Sequence, residues 1–180
     1  LYLAWPGDHI WGDPDQAITI KLAFQANQAG VLSTCWRQGN AGIGYHPFPI
    51  WVYQLLLKLT PDLIMITFIK ALISLTVCLV GLYSLSRRLA YPGWGVALFC
   101  FSPFCFLYGA ELTDDAWLIP VSLLVFVCYA RYDEKKTMPS LFGLLLFAAI
   151  GAYFHPRGAI LFCSVVAALF FFERRQLMRK

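Results

Sequence analysis

Residues 63–85 read Leu-Ile-Met-Ile-Thr-Phe-Ile-Lys-Ala-Leu-Ile-Ser-Leu-Thr-Val-Cys-Leu-Val-Gly-Leu-Tyr-Ser-Leu, and Lys70 is the lone charge among them. An α-helix rising about 1.5 Å per residue carries this run across the roughly 30 Å hydrocarbon core of a bilayer. Further apolar runs follow at Trp94–Ala110, Ala116–Tyr132, Pro139–Phe154 and Gly158–Phe172, several near the lower length limit for a span. The sequence therefore predicts an all-α polytopic membrane protein with about five transmembrane helices.

Composition agrees. The chain is 59% hydrophobic, 17% aromatic and 13% charged, too apolar and too sparsely charged for a soluble domain. A net charge of +4 raises the question of nucleic acid, but the basic residues are dispersed at the ends of apolar runs, so no nucleic-acid partner is expected. Cys78, Cys100, Cys105, Cys128 and Cys163 fall inside those runs as small hydrophobes, leaving Cys35 by itself in a polar loop, and no disulfide pair suggests itself.

The connectors set an orientation. Arg87-Arg88, then Arg131 with Lys135-Lys136, then Arg174-Arg175 with Arg179-Lys180 occupy alternate ends of successive runs. All three groups fall on one side, which the positive-inside rule makes cytoplasmic. The expected localisation is the plasma membrane, multi-pass. The stretch before the first run, the loop Glu111-Leu112-Thr113-Asp114-Asp115 and the turn His155-Pro156-Arg157 then face the periplasmic or extracellular side together.

Residues 1–180 form one transmembrane domain: a first periplasmic loop over 8–62, transmembrane helices over 63–172 and a cytoplasmic basic end over 173–180. Leu1 in place of Met, with an apolar stub Leu1–Trp5 ahead of polar sequence, predicts a fragment lacking its first helix. Within the loop, Asp13 can cap a helix, Pro14 suits its first position, and Gly30 ends a segment in which Ile18, Leu22, Gln25 and Ala29 recur at helical spacing. A second short apolar segment, Ile50–Leu59, closes at Thr60-Pro61-Asp62. It is too short to span, and reads as interfacial with Trp51 and Tyr53 at headgroup level.

Three polar groups gather on the outer face. They are Asp8, Asp13 and Asp15 in the first loop, Glu111, Asp114 and Asp115 in the second, and His155 with Arg157 in the third. Acids kept at membrane depth often mark a site. The same residues also fit plainer roles, Asp13 as an N-cap, Asp15 as a first-turn carboxylate and Asp114–Asp115 as the solvated start of a helix.

The order of these features resembles the lipid-linked-sugar glycosyltransferases of the C-type fold, a superfamily that includes dolichyl-phosphate-mannose protein mannosyltransferases and aminoarabinose lipid A transferases. Gly12-Asp13-Pro14-Asp15-Gln16-Ala17, a helix to Gly30 and Tyr45-His46-Pro47-Phe48-Pro49-Ile50-Trp51-Val52-Tyr53 are similar to that family's first outer loop. Leu112-Thr113-Asp114-Asp115-Ala116-Trp117-Leu118 resembles its second acidic turn, and His155-Pro156-Arg157-Gly158 falls where relatives place a basic residue before another helix. Phe48 stands where relatives carry a second Pro, and Asp13 and Asp15 compete for the first acidic position, with Asp15 the better match counting back from Gly30.

The resemblance implies transfer of a sugar, with inversion, from a polyprenyl-phosphate carrier to a lipid or protein acceptor. A base must take the acceptor's proton, and Asp15 is the candidate, with Asp13 the alternative. The leaving phosphate needs cations, for which Arg157 comes first and His46 and Lys58 follow. Asp114, Asp115 and Glu111 complete the expected substrate site. A divalent cation, magnesium or manganese, held by Asp15 with Asp114 or Asp115 is compatible with hard oxygen ligands, though no spacing demands one. Arg157 equally fits a snorkelling residue, His46 a loop residue, and Lys70 either a carrier-phosphate contact or a packing role facing the bundle interior. The rival classes are a secondary transporter, which needs broken helices and midplane charges, and a non-catalytic scaffold, which needs the outer acids to be unclustered.

Overall fold

The computed structural model describes residues 14–34, 37–38, 44–87, 92–100 and 114–177. In chain order the elements are α1 (Pro14–Gln28), β1 (Arg37–Gln38), β2 (Gly44–Tyr45), α2 (Phe48–Leu59), α3 (Leu63–Ser86), α4 (Pro92–Cys100), α5 (Asp114–Lys135), α6 (Met138–Phe154) and α7 (Pro156–Leu177). Helices joined by short turns make up most of the described chain. Among the described residues one ladder pairs Arg37 with Tyr45 and Gln38 with Gly44, antiparallel.

Proline fills the first or second position of α1, α2, α4, α6 and α7, where its missing N–H costs nothing and its fixed φ suits the helix. At α3 the cap is a side chain: Asp62 Oδ1 accepts from the Ile64 N–H at 2.9 Å. The end of α1 depends on Gly30, whose φ of +69° few other residues adopt readily. The Gly30 N–H donates to the Asn27 carbonyl and the Val31 N–H to the Ala26 carbonyl, both at 3.1 Å, the paired bonds of a Schellman turn.

Two points of the first loop differ from expectation. The buried face of α1 is Thr19, Ala23 and Ala26, while Ile18, Gln25 and Ala29 are exposed. Small side chains let α1 approach α2 closely, and they outrank the larger residues one step around the helix. Trp51 and Tyr53 are also turned into the protein and not toward headgroups. Tyr53 is 0% exposed, and the Trp51 indole donates to the Ser33 carbonyl at 2.7 Å. Gln54, buried beside them, donates to Asn27 Oδ1 and the Val31 carbonyl and accepts from the Ser33 N–H, so its amide is satisfied at both ends. These bonds fasten the segment after α1 onto α2, over a core of Ala23, Ile50, Tyr53, Leu56 and Ile66.

The remaining helices pack in sequence, α3 on α5, α5 on α6 and α6 on α7. Turns of two residues or one, Lys136–Thr137 and then His155, make the last three antiparallel neighbours. Their core is Val125, Leu144, Ala148 and Val165. Close approach rests on small residues, as between helices in lipid: Gly81 receives the Leu123 side chain, and a Cβ on Gly158 would overlap the Gly151 carbonyl.

Outward, α3 shows Ile64, Phe68, Leu72 and Val80, α6 shows Phe142, and α7 shows Ile160, Phe170 and Phe171. Water is a poor solvent for so much continuous apolar surface, and lipid a good one. Among the described residues two helices are long and apolar enough to cross a membrane, α3 with 24 residues and the Ala116–Lys135 part of α5 with 20. The apolar parts of α6 (Met138–Phe154) and α7 (Pro156–Phe171) are shorter. The expected run Trp94–Ala110 is described over α4 alone, and its remainder lies outside the described residues.

Candidate functional site

A histidine–proline pair opens both α2 and α7, and it works the same way each time. Proline has no N–H, so the following residue supplies the first amide hydrogen that a helix start leaves unpaired. His46 Nδ1 accepts from the Phe48 N–H at 3.2 Å, and His155 Nδ1 accepts from the Arg157 N–H at 3.1 Å. An accepting Nδ1 leaves Nε2 to carry the hydrogen of the neutral ring.

Rings then join these starts to α5. His46 meets Tyr153 edge-on at 4.6 Å between centroids and Trp51 at 5.6 Å. Phe48 meets Phe154 at 4.9 Å, and Phe154 stacks on Trp117 at 5.6 Å with 16° between planes. The Trp117 Nε1–H donates to the Tyr53 hydroxyl at 3.2 Å. Each ring pair adds about 0.5–1.5 kcal/mol beyond the area it buries. The starts of α2, α5 and α7 thus lie together at one end of the bundle, fixed by Trp117, Val121 and Phe154 with Phe48 packed against them.

Lys70 approaches the same cluster from α3. It is 0% exposed, and its ammonium stands 5.9 Å from the Trp117 ring centroid, near the outer reach of a cation–π contact, with a further interaction besides. Lys70 therefore faces the bundle interior, one of the placements expected of a charge inside a span.

The expected site residues divide as follows. His46 lies in the cluster as a cap and a ring partner, so its part is structural at least. Arg157 is exposed in the first turn of α7, its backbone tied to His155. Lys58 is exposed in the last turn of α2, ten residues beyond Phe48 and about 15 Å along the axis from the rings, so it does not join them. Asp15 is the second residue of α1, and Asp114 and Asp115 are the first two of α5. Their side chains lie outside the described residues, as do Asp8, Asp13 and Glu111 altogether. Among the described residues no group of three or more His, Cys, Asp or Glu side chains is placed to hold a metal, and the oxygen donors expected for one are those undescribed carboxylates.

Sequence reasoning passed over Tyr53, Trp117, Tyr153 and Phe154 as a joined set. The available signal was the repeated His-Pro pair, together with a Trp set two places after Asp115. An apolar groove of about 350 Å³ also opens between α3 and α5, lined by Leu82, Leu118, Ile119, Ser122, Leu123 and Phe126.

Residues 45–180 match a family model described as dolichyl-phosphate-mannose-protein mannosyltransferase. No curated protein and no solved structure matches the chain.

Proposed function

The chain belongs to the dolichyl-phosphate-mannose-protein mannosyltransferase family, and from that premise we propose that it transfers a sugar from a polyprenyl-phosphate carrier to a lipid or protein acceptor at the outer face of the plasma membrane. Membership makes it a membrane glycosyltransferase of the mannosyltransferase type. The donor, the orientation and the residues that follow are our reading.

The observation that carries the reading is the ring cluster, because it gathers the helix starts that bear Asp114–Asp115, His46 and Arg157 at one end of the bundle. The alternation of basic connectors makes that end the outer one. Five spans then put α3, α5, α6, α7 and the run beginning with α4 through the bilayer, with α1 and α2 above them. Short α6 and α7 are accommodated by local thinning of the lipid.

In the reaction Asp15 takes the proton of the acceptor hydroxyl or amine as its oxygen or nitrogen attacks the anomeric carbon, with Asp13 the alternative base. The bond to the carrier phosphate breaks on the opposite face, and single displacement inverts the centre. Arg157 and the Nε2–H of His46 stabilise the departing phosphate, while Asp114, Asp115 and Glu111 hold the sugar or acceptor. If a divalent ion is bound, Asp15 with Asp114 or Asp115 would hold it, and it would supply further charge at the phosphate. The groove between α3 and α5 suits the isoprenoid tail, since its walls are apolar.

Membrane vesicles containing the full-length protein, incubated with labelled polyprenyl-phosphate sugars, test this. We expect labelled product from one donor class, in an anomeric form inverted relative to the donor. Retention of configuration, or no transfer from any lipid-linked donor, contradicts it.

A further inference from the structure

We propose that Lys70 is a positioning residue of this site: it holds the Trp117 ring from within α3 and thereby sets the start of α5 against α2. The inference rests on the transfer reading above. Lys70 is the lone charged residue of α3 and is fully buried. Charge at such a place is unfavourable, and a Met or Leu of similar bulk would pack there without that cost. An ammonium so placed therefore calls for something that an apolar side chain cannot do.

Beside its further interaction, Lys70 meets the Trp117 ring. Trp117 is held at its edge by the Tyr53 hydroxyl, which accepts the indole hydrogen, and on its faces by the Phe154 ring and the Lys70 charge. Edge and face contacts from three other helices restrain the indole. Trp117 follows Asp115 by two residues on the same first turns of α5, so an indole held in this way steadies the backbone bearing both aspartates. Thr67 and Ser74 flank Lys70 on the same buried face of α3, a polar stripe aimed at the bundle and not at lipid. Asp114 and Asp115 orient a reactant in the proposed reaction, and misplacing such a group by about 1 Å can lower turnover about a hundredfold, which gives this arrangement its weight in catalysis.

Kinetics on the full-length protein in membranes test the proposal with Lys70→Met, Lys70→Arg and Trp117→Phe. Lys70→Met should lower kcat at least about tenfold with donor KM little changed, Trp117→Phe should act alike, and Lys70→Arg should retain more turnover than Lys70→Met. A rise in donor KM with kcat kept would make Lys70 a donor contact and overturn the proposal, as would full turnover by Lys70→Met or an Arg variant no better than Met. A second measurement does not depend on catalysis. With 5-fluorotryptophan incorporated, the Trp117 resonance is identified by its loss in Trp117→Phe. It should move in Lys70→Met, and an unmoved resonance overturns the proposal. If the wild-type protein transfers no lipid-linked sugar, the proposed function fails, while the resonance still decides the inference.

Discussion

The indole Nε1–H of Trp117 donates to the Tyr53 hydroxyl at 3.2 Å, a buried bond between residues 64 positions apart that ties the first-loop helix α2 to the start of α5. Both side chains lie inside the protein, Tyr53 fully and Trp117 at 8% exposure, so water cannot replace either partner. Tyr53→Phe should therefore leave an unsatisfied indole N–H and lower stability by about 1–3 kcal/mol. Thermal unfolding of the detergent-purified protein measures it. The double variant with Trp117→Phe should cost less than the two single changes summed, because each removes the same bond.

Gly158 and Gly151 face each other across the α6–α7 turn but should respond differently to alanine. A Cβ on Gly158 would overlap the Gly151 carbonyl and the following backbone, which cannot swing aside. Gly158→Ala should lose stability at the upper end of about 1–3 kcal/mol. Added to Gly151, the same methyl meets Val121 Cγ1 at 3.4 Å, an ordinary contact, and that variant should unfold close to the wild-type temperature.

Ser74 presents the reverse case. Its hydroxyl is buried in α3 and meets no hydrogen-bond partner among the described residues. Removing an unsatisfied buried hydroxyl relieves its desolvation cost, so Ser74→Ala should keep or raise the melting temperature, by up to about 1 kcal/mol equivalent. A drop of similar size would show that the hydroxyl is engaged.

Gln54 holds the segment after α1 through hydrogen bonds to Asn27, Val31 and Ser33. Gln54→Leu keeps the bulk and removes all of these side-chain bonds. Limited proteolysis should then cut near residues 29–34 faster than in the wild type, while Leu55→Gln, on the exposed side of α2, should leave the rate unchanged.

Local chemistry was readable in the sequence where one residue decides it. Pro14 and Gly30 bracket α1, and the apolar run from Leu63 became α3, because proline and glycine act through the backbone and hydrophobic length acts through the solvent. Of the residues at helical spacing in α1, Leu22 packs beside the core, while Ile18, Gln25 and Ala29 are exposed. Hydrophobic ranking prefers Ile18 and Leu22, whereas close helix packing prefers Thr19, Ala23 and Ala26, and the sequence does not say how near α2 will come. Trp51 and Tyr53 were assigned to the headgroup layer for a related reason. An aromatic residue near a helix end looks the same whether its partner is lipid or a tryptophan far along the chain. Of the site, the sequence order placed the His46, Asp115 and Arg157 segments at helix starts, where the structure also has them, but not the rings that join those starts. Those rings are long-range contacts with no periodic signature.

The transfer rate of the full-length protein with Asp15→Asn, against wild type, at saturating labelled polyprenyl-phosphate sugar, tests the central claim most directly. Asparagine keeps the shape but cannot take the acceptor's proton, so kcat should fall about 10²–10⁴-fold with donor KM preserved. Wild-type turnover by that variant would contradict the assignment of Asp15, and wild-type turnover with Asp13 changed to Asn as well would contradict the account.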